Sequence, residues 1–149
     1  MHVTALTGDD FEREVLVVSH LDVPKKFSKR WVRTFKEGVI YVRSIQEHLG
    51  DWKPKNPKTV LAYSFFEGVA RNLSRHDRRR LGLYNSVGTP LDRMGVDCFI
   101  QKGDIIVSID LTVNPRKRSS GADLVLNRED FIRDEHLLIA GRVAEYLCR

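Results

Sequence analysis

Cysteine is scarce in this chain. Two in 149 residues, Cys98 inside an alternating apolar run and Cys148 at the C-terminal end, are too few and too differently placed for a disulfide framework. The expected setting is reducing and intracellular, that is, cytoplasmic. Also missing is any apolar run near the roughly 20 residues that a membrane span requires. Residues 2–10 are polar where a secretory leader would be apolar, so no membrane partner is expected. The histidines, His2, His20, His48, His76 and His136, show no zinc spacing, and no Walker or dinucleotide glycine motif is present. His76-Asp77 could form an acid/base pair but better suits a helix end. There is no internal repeat and no heptad run.

What is there suits one globular domain over residues 1–149. With 42% of residues hydrophobic and 30% charged, the chain can bury a core without staples. The expected division is a helical N-terminal part over residues 1–57 and a core over 58–149. The formal net charge of +5 and pI near 9.4 are compatible with a nucleic-acid partner but do not require one.

Residues 95–112, GVDCFIQKGDIIVSIDLT, alternate cleanly enough to give every side chain a face. They read as a β-hairpin turning at Lys102-Gly103, because glycine takes the positive φ that a tight hairpin loop needs. In that register Val96, Cys98 and Ile100 lie across from Ile109, Val107 and Ile105, and the apolar face continues through Leu111 and Val113. The other face carries Asp97, Ser108, Asp110 and Thr112. Asp97 then faces Ser108 and is diagonal to Asp110, with about 7–8 Å between Cα atoms. Two carboxylates so placed ask for a metal, a base or a nearby cation.

Upstream, residues 11–21 suit a short helix running into a strand-like end. From Ser28, Trp31, Val32, Phe35, Val39, Val42 and Leu49 recur at three- and four-residue spacing. With Ser28 as N-cap and Gly50 as terminator, this predicts an amphipathic helix of about 20 residues. The prolines of residues 53–57, KPKNP, break it. A second helix begins near Lys58, burying Leu61, Phe65, Val69 and Leu73, with Glu67 on its flank beside Val60, Tyr63 and Arg71.

Arg71, Arg75, Arg78, Arg79 and Arg80 fall within ten positions. They are dense enough to serve phosphates by charge-assisted hydrogen bonds, although arginines at helix ends also favour the helix dipole. Residues 82–94 read as a loop with turns at Asn85, Gly88, Pro90 and Gly95. Beyond the hairpin, Asn114-Pro115 ends the strand, and Arg116, Lys117 and Arg118 make a basic loop beside Asp110 and Thr112. Residues 122–126 suit a short strand and residues 128–148 a final helix.

A helix bearing Glu67, a strand bearing Asp97, a hairpin, and a strand bearing Asp110-Leu111-Thr112 together resemble the PD-(D/E)xK nuclease superfamily over about residues 58–149. In that superfamily a helix often offers a glutamate, the next strand an aspartate, and the following strand an acid-x-lysine on one face. The resemblance implies a restriction-endonuclease-like α/β fold, a small mixed β-sheet flanked by helices. It also implies metal-dependent hydrolysis of phosphodiester bonds. Glu67, Asp97 and Asp110 would match the acids and hold Mg²⁺ or Mn²⁺ through oxygen. Thr112 stands in the position of the lysine that handles the attacking water, and Lys117, Arg116 or Arg118 is close enough in sequence to replace it. Val96 stands where the superfamily often has a proline. Arg71, Arg75, Arg78, Arg79, Arg80, Arg116, Lys117 and Arg118 would track the backbone. The implied partner is nucleic acid, DNA ahead of RNA, and a homodimer would suit an enzyme that cuts two strands.

Two other readings use the same residues. Asp97 and Asp110 could be solvent-face acids that blunt an edge hairpin against pairing with other chains. Alternatively, with the lysine gone, the chain is a catalytically inactive member of that fold, binding nucleic acid or another protein.

Overall fold

Thr34 starts a helix by accepting the Glu37 N–H on its Oγ1 at 3.1 Å, and the chain is helical over Phe35–Leu49 (α1). The structure, a computed structural model, describes residues 11, 14–16, 34–49, 52–113, 121–132 and 135–148. The helix expected from Ser28 is therefore shorter and capped at Thr34. Ser28, Trp31, Val32 and Gly50 lie outside the described residues, as does most of the 11–21 segment, of which Phe11 and residues 14–16 are helical.

Thr59 repeats the cap, accepting the Ala62 N–H at 3.0 Å, for Val60–Ala70 (α2). Of its expected apolar stripe, Phe65 and Val69 are buried, Leu61 is half-buried, and Leu73 is buried just past the end of the helix. Ser74 caps the short Arg75–Arg79 (α3).

Residues 82–94 depart from the expected loop, because they contain most of a strand, Leu81–Asn85 (β1), and a short helix, Pro90–Arg93 (α4). Leu81 and Leu83 alternate with Gly82 and Tyr84, too short a run to stand out by itself. Pairing with a neighbouring strand and contacts on its outer edge hold it straight. On that edge Trp52 Nε1 donates to the Leu83 carbonyl (2.8 Å), and the Leu83 N–H donates to the Pro54 carbonyl (2.9 Å). The Gln46 amide brackets Asn85 by donating to its carbonyl and accepting its N–H. An exposed strand edge is thereby closed to other chains.

The remaining elements are Cys98–Lys102 (β2), Ile105–Thr112 (β3), Leu124–Asn127 (β4), Arg128–Ile132 (α5) and Glu135–Leu147 (α6). The predicted final helix is thus described in two parts. Asn127 accepts the Asp130 N–H (3.1 Å) while Asp130 accepts the Asn127 N–H (2.7 Å), a reciprocal cap that starts α5. None of the described helices is long and apolar enough to cross a membrane.

The sheet order is β1-β2-β3-β4. The first two pairings are antiparallel and β3–β4 is parallel, giving the mixed α/β architecture expected. The hairpin register differs from the predicted one by two residues: Cys98 pairs Ile109, Ile100 pairs Val107 and Lys102 pairs Ile105. The loop is therefore Gly103-Asp104, with Gly103 at φ +61°. Primed hairpin turns need positive φ at their first central residue, which glycine meets and Lys102 would not. A shift of two preserves every face, so the side-chain assignment survives.

One face of the sheet, including Leu83, Ile100, Ile109 and Leu126, packs on Phe65 and Val69 of α2 and Val143 and Leu147 of α6. Phe11, Val15 and Leu16 join this cluster. On the other face Phe99 meets Val39 and Val42 of α1 and Leu91 of α4. Val96 belongs to this second cluster, not to the face of Cys98 and Ile100, because the chain leaves β2 one step before it. Val113 is likewise outside the core.

The guanidinium of Arg80 lies where a Cβ on Gly103 would stand. Gly103→Ala should cost about 1–2 kcal/mol from the left-handed backbone alone, read as a lower urea midpoint with an unchanged slope. An unaffected midpoint would mean that the loop readily adopts another turn.

Candidate functional site

Asp97 and Asp110 each stand one position beyond the Cys98–Ile109 pair, Asp97 before β2 and Asp110 within β3. The relation is closer than the predicted diagonal. They are 4% and 6% exposed, and Thr112, two residues on along the same face of β3, is 8% exposed. This overturns the edge-hairpin reading: β2 and β3 are the inner strands of the sheet, and neither acid faces open solvent.

The loop that delivers Asp97 is hydrogen-bonded throughout. Ser86 donates its N–H to the Asp97 carbonyl (3.0 Å) and its hydroxyl to the Val96 carbonyl (2.6 Å). Gly88 and Gly95 supply positive φ at the two bends, as glycine there suggested, whereas Asn85 and Pro90 belong to β1 and α4. Asp97 itself donates its N–H to the Ile109 carbonyl (2.9 Å), and its Oδ2 accepts the Leu111 N–H at 2.7 Å. The side chain thus completes the ladder where the backbone turns away.

That bond has a measurable consequence. Asp97→Ala leaves the buried Leu111 N–H unpaired, a loss of about 1–3 kcal/mol, whereas Asp97→Asn keeps an acceptor and should lose less in urea unfolding. Equal losses would mean that the charge, not the hydrogen bond, matters to folding.

Asp123, just before β4, is a polar anchor that sequence reasoning missed. Its Oδ2 accepts the Ser108 N–H (3.0 Å) and hydroxyl (3.1 Å), and its own N–H donates to Ser108 Oγ (2.8 Å). Ser108 lies two residues before Asp110 on the same face, so this knot fixes the start of β4 beside the acids. The signal available was an acid directly before the apolar Leu124-Val125-Leu126. Arg116, Lys117 and Arg118 lie outside the described residues. The described flanks of that segment are Thr112 and Val113 on one side, and on the other Gly121, which approaches Met94 and Gly95 just ahead of Asp97.

Glu67 is not brought to the pair. The Phe65–Val69 stripe of α2 packs on the sheet face opposite Asp110, and Glu67 lines an open groove of about 650 Å³ with Lys58, Tyr63, Ser64, Arg71 and Leu137. Among the described residues no three His, Cys, Asp or Glu side chains gather closely enough to hold a metal. The acid pair alone remains, an all-oxygen donor set that fits a hard divalent cation.

The arginine cluster divides. Arg78 Nε donates to the Ala70 (2.7 Å) and Leu73 (3.3 Å) carbonyls, tying α3 to the end of α2, and Arg80 covers the hairpin tip at Gly103. Both act within the fold because they sit where α2 ends and β1 begins. Arg71, Arg75 and Arg79 are exposed, as are Arg78 and Arg80. The Asp77 carboxylate of the His76-Asp77 pair meets the buried Lys102 ammonium at 3.6 Å, the helix-end role rather than an acid/base one. Farther off, Arg128 makes a two-pronged bond to Glu14 (3.0 and 3.1 Å). The hydrogen bond to that carboxylate and then its charge raise the Arg128 pKa above the usual value.

Comparison with known proteins finds no match to any family model, curated protein or solved structure.

Proposed function

We propose that this chain is a metal-dependent nuclease, hydrolysing phosphodiester bonds at Asp97 and Asp110. The observation that carries the reading is the burial of these two carboxylates side by side, Asp110 on the inner strand β3 and Asp97 one residue ahead of the inner strand β2. Two buried carboxylates this close form an all-oxygen donor set that suits a hard divalent cation, and the chain's basic run, Arg116, Lys117 and Arg118, begins four residues beyond Thr112.

Asp97 and Asp110 would hold Mg²⁺ or Mn²⁺ by carboxylate oxygens. When bound, such an ion would supply a water of lowered pKa and neutralise charge on the scissile phosphate. The Thr112 hydroxyl, on the face of β3 that bears Asp110, orients the attacking water by hydrogen bonding but brings no charge. Lys117, with Arg116 and Arg118, supplies that charge to the phosphate. Nucleic acid, DNA ahead of RNA, is the substrate, and a homodimer would serve cleavage of both strands.

The test is cleavage of single- and double-stranded DNA and RNA with Mg²⁺ or Mn²⁺, and with EDTA in place of the metal. Metal-dependent cutting supports the reading, and no cutting of any substrate removes it. A second reading rests on the neutral Thr112 at the lysine's position and on the Asp97 carboxylate being engaged by the Leu111 N–H. Under it the chain is a non-catalytic nucleic-acid-binding relative, recognised by salt-dependent binding without cleavage.

A further inference from the structure

Two basic stretches far apart in the sequence meet on one side of the molecule. Lys55 Nζ donates to the carbonyl of Arg79, which seats the 53–58 loop against α3. Lys58 and Arg71 line the same groove along α2, and the Arg78 bonds to Ala70 and Leu73 hold α3 against the end of α2. Lys53, Lys55, Lys58, Arg71, Arg75 and Arg79 are all exposed. Among the described residues, the acids here include Asp77, paired with Lys102, and Glu67, which lines the groove.

The groove also offers something to a base. Tyr63 is 44% exposed at its wall, and Asn56, Thr59 and Ser64 add polar groups. Cations that follow a backbone, with an exposed aromatic ring among them, are the means by which proteins hold unpaired nucleic acid. A duplex hides its base faces and would leave Tyr63 unused.

We infer that the groove between the 53–58 loop and α2 binds single-stranded nucleic acid. The path runs from Arg79 and Lys55 toward Arg71 and Lys58, with a base stacked on Tyr63. This surface lies beyond α2, which covers the sheet face opposite Asp110, so it is separate from the acid pair. The inference rests on nucleic acid being the partner and not on catalysis.

The experiment is fluorescence anisotropy in EDTA with labelled single-stranded DNA and RNA of roughly 20 nucleotides, and the matching duplex, on full-length protein. The wild type should bind single strands more tightly than duplex. Lys58→Glu combined with Arg71→Glu should weaken binding at least about tenfold and reduce the salt slope by roughly 0.7 per lost phosphate contact. Tyr63→Ala should weaken it about 5- to 150-fold, the effect of losing one stacked base. Arg142→Glu, a single charge reversal of the same kind on α6 outside the groove, should bind as wild type.

Wild-type binding by the groove variants overturns the inference, as do equal losses in Arg142→Glu or a preference for duplex. A dimer held through the exposed Val60, Leu137 and Leu138, broken by Leu137→Asp in sedimentation with no oligonucleotide bound, would overturn it by giving the surface another occupant. If the protein cuts while the groove variants bind normally, the groove fails and the acids stand. If it never cuts but binds through the groove, the reverse holds.

Discussion

Asp110→Asn is expected to lower metal-dependent cleavage by about 10³-fold or more while leaving the protein folded. Several kcal/mol of transition-state charge stabilisation come from a correctly held ion, at 1.36 kcal/mol for each tenfold in rate. Asparagine keeps the volume and an oxygen but removes the charge that holds the cation. Single-turnover cleavage at saturating protein separates this loss from weaker substrate binding, and urea unfolding beside it shows whether the fold is intact. Asp110 lies on an inner strand, paired with Val125 across the parallel β3–β4 ladder, so its position does not depend on the loop that carries Asp97. Cleavage that survives at the wild-type rate would remove the acid pair from the chemistry.

Phe65→Ala should destabilise the protein by about 3–5 kcal/mol, from lost burial and the cavity left behind. Phe65 is 2% exposed, and its ring centroid is 5.9 Å from that of Phe131, which meets Phe11 edge-on at the same separation. Phe65 thus joins α2 to α5 directly and, through Phe131, to the helical residues near the N-terminus. Against a domain stability of roughly 5–15 kcal/mol, the loss should appear as a large drop in the urea midpoint. A change under about 1 kcal/mol would mean that the neighbouring rings close the cavity. Since Phe65 is two residues from Glu67 but faces the other way, the same variant should leave the groove's exposed cations in place at low denaturant.

Much of the site could be read from the chain because β-strand alternation has a period of two. Asp97, Ser108, Asp110 and Thr112 share a face whether the hairpin turns at Lys102-Gly103 or Gly103-Asp104, since the two registers differ by an even number. Which of the two it is depends on the positive φ at Gly103. Glu67 shows the opposite case. Its place on the flank of α2 beside Val60, Tyr63 and Arg71 followed from helical spacing, but which side of the sheet α2 covers is a long-range fact that no local pattern encodes. The arginines divide for a similar reason, since only the end of α2 and the tip of the hairpin decide that Arg78 and Arg80, though exposed, lie against neighbouring backbone. β1 escaped notice because it is short and interrupted by Gly82. Trp52, Pro54 and Gln46, more than 25 positions away from it in sequence, complete its edge.

The sequence by itself determined the alternating faces of the hairpin, the buried stripe of α2, the turns at Gly88 and Gly95, and the mixed α/β class. Each of these rests on periodicity or on backbone angles set within a few residues. Tertiary structure alone decided that the acids are buried on inner strands, that Glu67 stands away from them, and that the 53–58 loop and the α3 arginines form one basic surface. Those depend on which elements pack together, and packing is settled by the burial of apolar faces that are distant in sequence.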